Sequence, residues 1–119
     1  MGSRTFRDLL VWQKAHAFVL EVYRITGGFP GAERYGLTAQ FRRAAVSIAA
    51  NLVEGFRKRS KTDKARFYNI SQGSIEECRY YLILAQDLGY ADTRALDAML
   101  NEVGRLLEAY MRSLLTTDY

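Results

Sequence analysis

Proline is nearly absent from this sequence: Pro30 is the only one in 119 residues. The nine glycines fall mostly between periodic segments, which favours helices over many short strands. A single cysteine, Cys78, excludes an internal disulfide framework and a CxxC-type zinc site. A single histidine, His16, excludes a His-rich metal site within one chain. The Glu-x-x-His pairs of di-iron bundles are also missing, because Gln13 stands three residues before His16. No Ser-His-Asp or Cys-His set, phosphate loop or dinucleotide fingerprint occurs, so neither a catalytic residue nor a cofactor is expected. No apolar run approaches the roughly 18–20 residues of a membrane span. The start, Met1-Gly2-Ser3-Arg4, leads to Phe6 where an acylation motif wants Ser or Thr, and no leader pattern follows. A cytoplasmic location with no membrane partner is the expectation.

What is present is ordinary for one folded domain spanning 1–119. Some 49% of residues are apolar and 25% charged, which is too apolar for disorder. The net charge of +4 is unevenly placed. Between Arg34 and Arg66 nine basic residues face two acidic ones, Glu54 and Asp63, so this segment carries +7 and the remainder −3.

Apolar periodicity predicts four helices. The first runs from about Leu9 to Ile25, with Asp8 as N-cap and Gly27-Gly28 as its stop. The second spans about 37–59. The third follows Ser60 as N-cap, covers 61–88 over roughly 40 Å, and stops at Gly89. The fourth, capped by Asp92, covers 93–115, with Leu96, Leu100, Val103, Leu107, Tyr110 and Leu114 as a bundle seam. Short connections imply that successive helices are antiparallel, so the fold class is an all-α, up-down four-helix bundle.

Helix 2 is apolar on two sides. Leu37, Phe41, Ala44, Ile48, Leu52 and Gly55 form one face, while Val46, Ala49, Ala50 and Val53 form another. A helix apolar on both sides needs cover on both, so the second face predicts an oligomer interface, with Ala45, Ala49 and Ala50 allowing close approach. The plainer alternative is that these residues are helix filler on a tolerated surface. Between the two faces Gln40, Arg43, Ser47, Asn51 and Glu54 occupy an arc of about 80° at 100° per residue. They could line a pocket, but a structural hydrogen-bond network with Ser74, Glu77 and Tyr81 of helix 3 is the favoured reading, Arg43 pairing with Glu54 or Glu77. Gly73 would permit close approach of helix 2. Cys78 reads as a small buried residue, and His16 as a core or interface residue on the apolar face of helix 1.

The run from Gln40 to Gly55, QFRRAAVSIAANLVEG, resembles the bacterial four-helix bundle protein family. So do Leu10-Val11-Trp12-Gln13-Lys14-Ala15, Tyr35-Gly36-Leu37-Thr38 and Gly73-Ser74-Ile75-Glu76-Glu77. The resemblance extends over about Phe6–Leu115. Val53 departs from it, standing where a small residue is more usual. The family includes proteins encoded in intervening sequences of large-subunit ribosomal RNA genes, and the accessory variability determinant (Avd) of diversity-generating retroelements. It implies a homopentamer of antiparallel four-helix subunits and, for Avd-like members, nucleic-acid binding and a reverse-transcriptase partner.

Two functions from different classes follow. The first is a non-enzymatic structural or protein-interaction scaffold built by self-association. The second is a nucleic-acid-binding accessory protein. For the latter, Arg57, Lys58, Arg59, Lys61, Lys64 and Arg66 crowd the turn between helices 2 and 3 and would form a basic rim for RNA or DNA phosphates. Phe56 and Phe67 flank that turn and read as core residues rather than stacking platforms.

Overall fold

The computed structural model describes residues 3–116, leaving the Met1-Gly2 start outside the described residues. Four helices carry it, with no strand among the described residues: α1 (Leu10–Thr26), α2 (Leu37–Arg57), α3 (Lys61–Asp87) and α4 (Arg94–Thr116). Short 3-10 turns at Phe6–Asp8 and Gly31–Glu33 precede α1 and α2. α2 packs against α1 and α3, and α4 closes the bundle against α1 and α3, giving a body of 52 × 23 × 20 Å.

The core is a column of fully buried residues: Phe18 and Val22 from α1, Phe41, Ile48 and Leu52 from α2, Leu82 from α3, and Leu100, Val103 and Leu107 from α4. The expected α4 seam is therefore the inward stripe, with Tyr110 and Leu114 half-buried at its end. Between α2 and α3 the contacts advance in opposite directions. Gln40 meets Tyr81, Ser47 meets Ser74, and Ser71 donates to the Ile48 carbonyl at 2.9 Å. Further along, Gly55 lies against Tyr68, where a Cβ would run into the tyrosine ring.

The close approach thus falls at Gly55, not at Gly73 as expected from sequence. A Cβ on Gly73 would have nothing within 4 Å. Asp8 does not cap α1 either. Its carboxylate accepts from the Arg4 and Thr5 amides at 3.0 and 3.2 Å, closing a capping box on the preceding turn, and Leu9 becomes the N-cap. Helix α2 stops at Arg57, two residues short of Arg59, because Lys58 is extended. The Lys64 ammonium donates to the Phe56 carbonyl at 2.8 Å, an acceptor the helix end leaves open, and to the Gly55 carbonyl at 3.2 Å, which it shares with the Lys58 amide. Ser60 caps α3 as expected, accepting from the Asp63 amide at 3.1 Å. At its other end Gly89, with φ of +74°, allows a Schellman turn in which the Tyr90 amide donates to Ala85 O at 2.9 Å. Asp92 receives the Arg94 amide at 3.1 Å at the start of α4.

Candidate interaction surfaces

The polar residues of α2 lie along its seam with α3. Ser74 Oγ donates to Ser47 Oγ at 2.8 Å, and the Asn51 amide reaches the Ser47 carbonyl and hydroxyl at 2.9 and 3.1 Å. The Tyr81 hydroxyl donates to Glu77 Oε2 at 2.6 Å and lies 3.2 Å from Gln40 Oε1. Gln40, Ser47, Asn51, Ser74 and Glu77 are thus tied into hydrogen bonds that cross or follow the seam. Tyr81, expected in this network from sequence, links two of them. The usable signal was its spacing: a tyrosine on a core edge needs a partner for its hydroxyl, and Glu77 stands one turn before it. The hydrogen bond to Glu77 pushes the Tyr81 hydroxyl up to about 12, helped by burial, while the Arg43 charge acts the other way.

Arg43 and Glu54 do not join. Both are exposed and make no hydrogen bond or ion pair among the described residues. Eleven residues separate them, about 16 Å along the helix, so they cannot pair with each other inside one chain. The charged cluster expected from sequence is therefore not formed.

The second apolar face of α2 divides in two. Val46 is 40% exposed, Ala50 is exposed and Val53 is half-buried. Ala49, however, is buried within the chain, as is Ala45. They lie on the edge of α2 that carries Arg42, whose guanidinium donates to Thr26 Oγ1 at 2.8 Å and sits over the Tyr23 ring at 4.6 Å. α1 covers that edge, so Ala49 leaves the set available to a partner. His16 is corrected in the opposite sense: it is exposed, with its ring stacked on Trp12 at 5.0 Å.

The basic turn is less free than its sequence suggests. Lys64 is committed to the α2 carbonyls and sits over the Phe56 ring, and burial lowers its ammonium pKa. Arg66 pairs with Asp63 at 3.2 Å and shares the Phe67 ring with Lys58, each about 5.0 Å from its centre. Both phenylalanines are half-buried, with cations over their rings. Arg57 and Arg59 remain exposed with no ion pair among the described residues. Cys78 is buried and its thiol is pushed up to about 12, chiefly by desolvation, so it stays protonated at neutral pH. Among the described residues no three His, Cys, Asp or Glu side chains converge on a metal-sized site, and no helix is long and apolar enough to cross a membrane.

Four helices around one apolar column, with a hydrogen-bonded polar seam between the second and third, define an all-α helical-bundle protein. A family model described as 23S rRNA-intervening sequence protein matches residues 7–110, and the chain belongs to that family. A solved structure from Bacteroides thetaiotaomicron VPI-5482, described as a protein of unknown function from the S23 ribosomal protein family, is similar in fold. It superposes with a TM-score of 0.76 at 21% identity, covering 87% of this chain and 96% of that one. No curated protein matches the chain.

Proposed function

We propose that the chain is a non-enzymatic scaffold that acts in the cytoplasm as a homo-oligomer of up-and-down, antiparallel four-helix subunits. The observation that carries the reading is the outer face of α2, where Val46 and Ala50 are exposed and Val53 half-buried. Burying such a face in a second copy removes apolar surface from water and leaves a polar rim. The family resemblance implies five copies. Light scattering tests the reading. The wild-type mass should be a multiple of 13.6 kDa, and Val46→Glu should lower it with helical circular dichroism unchanged. A wild-type mass of 13.6 kDa at micromolar concentration refutes it.

A second reading, nucleic-acid binding, is favoured by Arg57 and Arg59, two exposed guanidinium groups at one bundle end with no acidic partner. Repeated around a ring they would hold phosphates with little sequence preference and a steep salt dependence. The family's description ties it to 23S ribosomal RNA genes, which makes structured RNA the first probe. A reverse-transcriptase partner belongs only to an Avd-like version of this reading. Retarded migration of RNA at about 100 mM salt, lost in Arg57→Glu/Arg59→Glu, supports it, and no shift at that salt refutes it.

A further inference from the structure

Where the chain passes from α1 to α2 it leaves an open concavity of about 530 Å³, walled by Tyr23, Arg34, Tyr35 and Arg42. Its far edge reaches Arg43 and Val46, at the border of the self-association face proposed above. Three guanidinium groups line it and no acidic side chain does. The acids nearest in sequence are engaged elsewhere. Glu33 accepts from the Leu37 amide at 3.1 Å and the Tyr90 hydroxyl at 2.8 Å, and Glu21 pairs with Arg24 at 2.7 Å. Arg42 is held in place: Nε donates to Thr26 Oγ1 at 2.8 Å and Nη2 to the Tyr23 carbonyl at 3.3 Å, while the guanidinium sits 4.6 Å over the Tyr23 ring. Its Nη1 is left with no hydrogen bond among the described residues. A guanidinium fixed in this way loses little freedom when it takes an anion.

Apolar bulk stands beside these charges. Tyr35 is 85% exposed with Arg34 at 5.3 Å over its ring, and Leu20, one helical turn before Tyr23, is 58% exposed. Arginine and tyrosine next to aliphatic surface, with lysine, aspartate and glutamate missing from the lining, is the composition of a protein-binding patch. We propose that this surface docks an acidic segment of another protein. Its carboxylates take Arg34 and Arg42, and its apolar side chains lie on Leu20, Tyr23 and Tyr35. Charge complementarity selects such a partner, because a carboxylate meets the guanidinium fork through two parallel hydrogen bonds. The concavity is open along one side, which suits a chain laid across it better than a small molecule enclosed by it. An RNA strand would also satisfy the arginines. Leu20, however, gives a base no ring to stack on, and Tyr23 and Tyr35 each have an arginine over the ring already.

A phage-displayed library of random dodecapeptides, selected on the full chain, tests the proposal. The selected peptides should be rich in Asp and Glu interleaved with Leu, Phe or Trp. The leading peptide, synthesised with a fluorescent label and followed by anisotropy, should bind Arg34→Gln/Tyr35→Ala at least about tenfold more weakly than wild type, and Leu20→Ser about fivefold more weakly. Added salt should weaken it further. Arg34 and Tyr35 are exposed residues of the connection, so the double variant should keep the helical circular dichroism and the light-scattering mass of the wild type. Selected peptides with no excess of acidic residues, or equal affinity for the double variant, overturn the inference. Oligouridylate that displaces the labelled peptide at lower concentration than the unlabelled peptide does makes RNA the occupant and overturns it too. A reduced mass in the double variant would mean that a second copy covers the site, with the same consequence. The outcome is independent of Val46→Glu, so self-association and docking stand or fall separately.

Discussion

Gly55 and Tyr68 form a contact whose energy can be worked out before it is measured. Tyr68 is fully buried, and its ring lies so close to the Gly55 backbone that a Cβ there would overlap it. Replacing a helical glycine by alanine gains about 1 kcal/mol of propensity. Forcing an extra methyl into a packed site costs about 1–3 kcal/mol. Gly55→Ala should therefore lose up to about 2 kcal/mol in the wild-type chain, the difference of those two effects. In a Tyr68→Leu background the ring is gone, and the same change should instead gain about 1 kcal/mol. The coupling between the two positions is then about 1–3 kcal/mol, far outside the additivity of independent sites. Urea unfolding followed by circular dichroism measures all four corners of the cycle. A single protein concentration must be used, because assembly itself adds stability by mass action. A stabilising Gly55→Ala in the wild-type chain, with a coupling near zero, would refute the packing of α2 on α3 at this level.

Two further predictions concern Lys64 and Tyr81. Lys64→Ala should cost about 1–2 kcal/mol by taking the charged donor from the Phe56 carbonyl and one of two donors from the Gly55 carbonyl, while Arg59→Ala on the same turn should stay within about 0.5 kcal/mol, again by urea unfolding. The Tyr81 hydroxyl is held up to about 12 in the fold, so its contribution is complete below about 10 and is lost as pH rises towards 12. Absorbance at the tyrosinate band should lose one late-ionising step in Tyr81→Phe while the later step of buried Tyr68 remains, and loss of no late step would refute the Glu77 hydrogen bond.

Most of the fold was readable because helices leave a one-dimensional trace. The α4 seam Leu96–Leu100–Val103–Leu107 is inward in the structure as its spacing demands, and Ser60 and Gly89 bracket α3 as their cap chemistry predicts. Helix ends were less legible where a distant side chain decides them. Nothing in Arg57-Lys58-Arg59 says that α2 stops at Arg57, because part of the cause is Lys64, reaching back from the next helix to take the last carbonyls. Asp8 has the chemistry of a helix cap, yet the amides of Arg4 and Thr5 are nearer and take its carboxylate first.

The candidate surfaces expose a deeper limit. A helical wheel assigns each residue a direction, but it cannot say which neighbour stands in that direction. Val46, Ala49 and Ala50 share one apolar arc by angle, yet Ala49 is buried within the chain and Val46 is 40% exposed. Gly55 and Gly73 are alike as letters, but one is pressed by a tyrosine ring and the other opens to solvent. The same reasoning makes the uncovered residues informative. Once the four helices have covered what they can, Val46, Ile70, Tyr80, Arg43 and Glu54 remain exposed. Exposure of single apolar side chains is ordinary on a solvated surface, so the self-association proposed above rests on Val46 and Ala50 adjoining on one face of one helix, which the light-scattering mass of Val46→Glu tests directly.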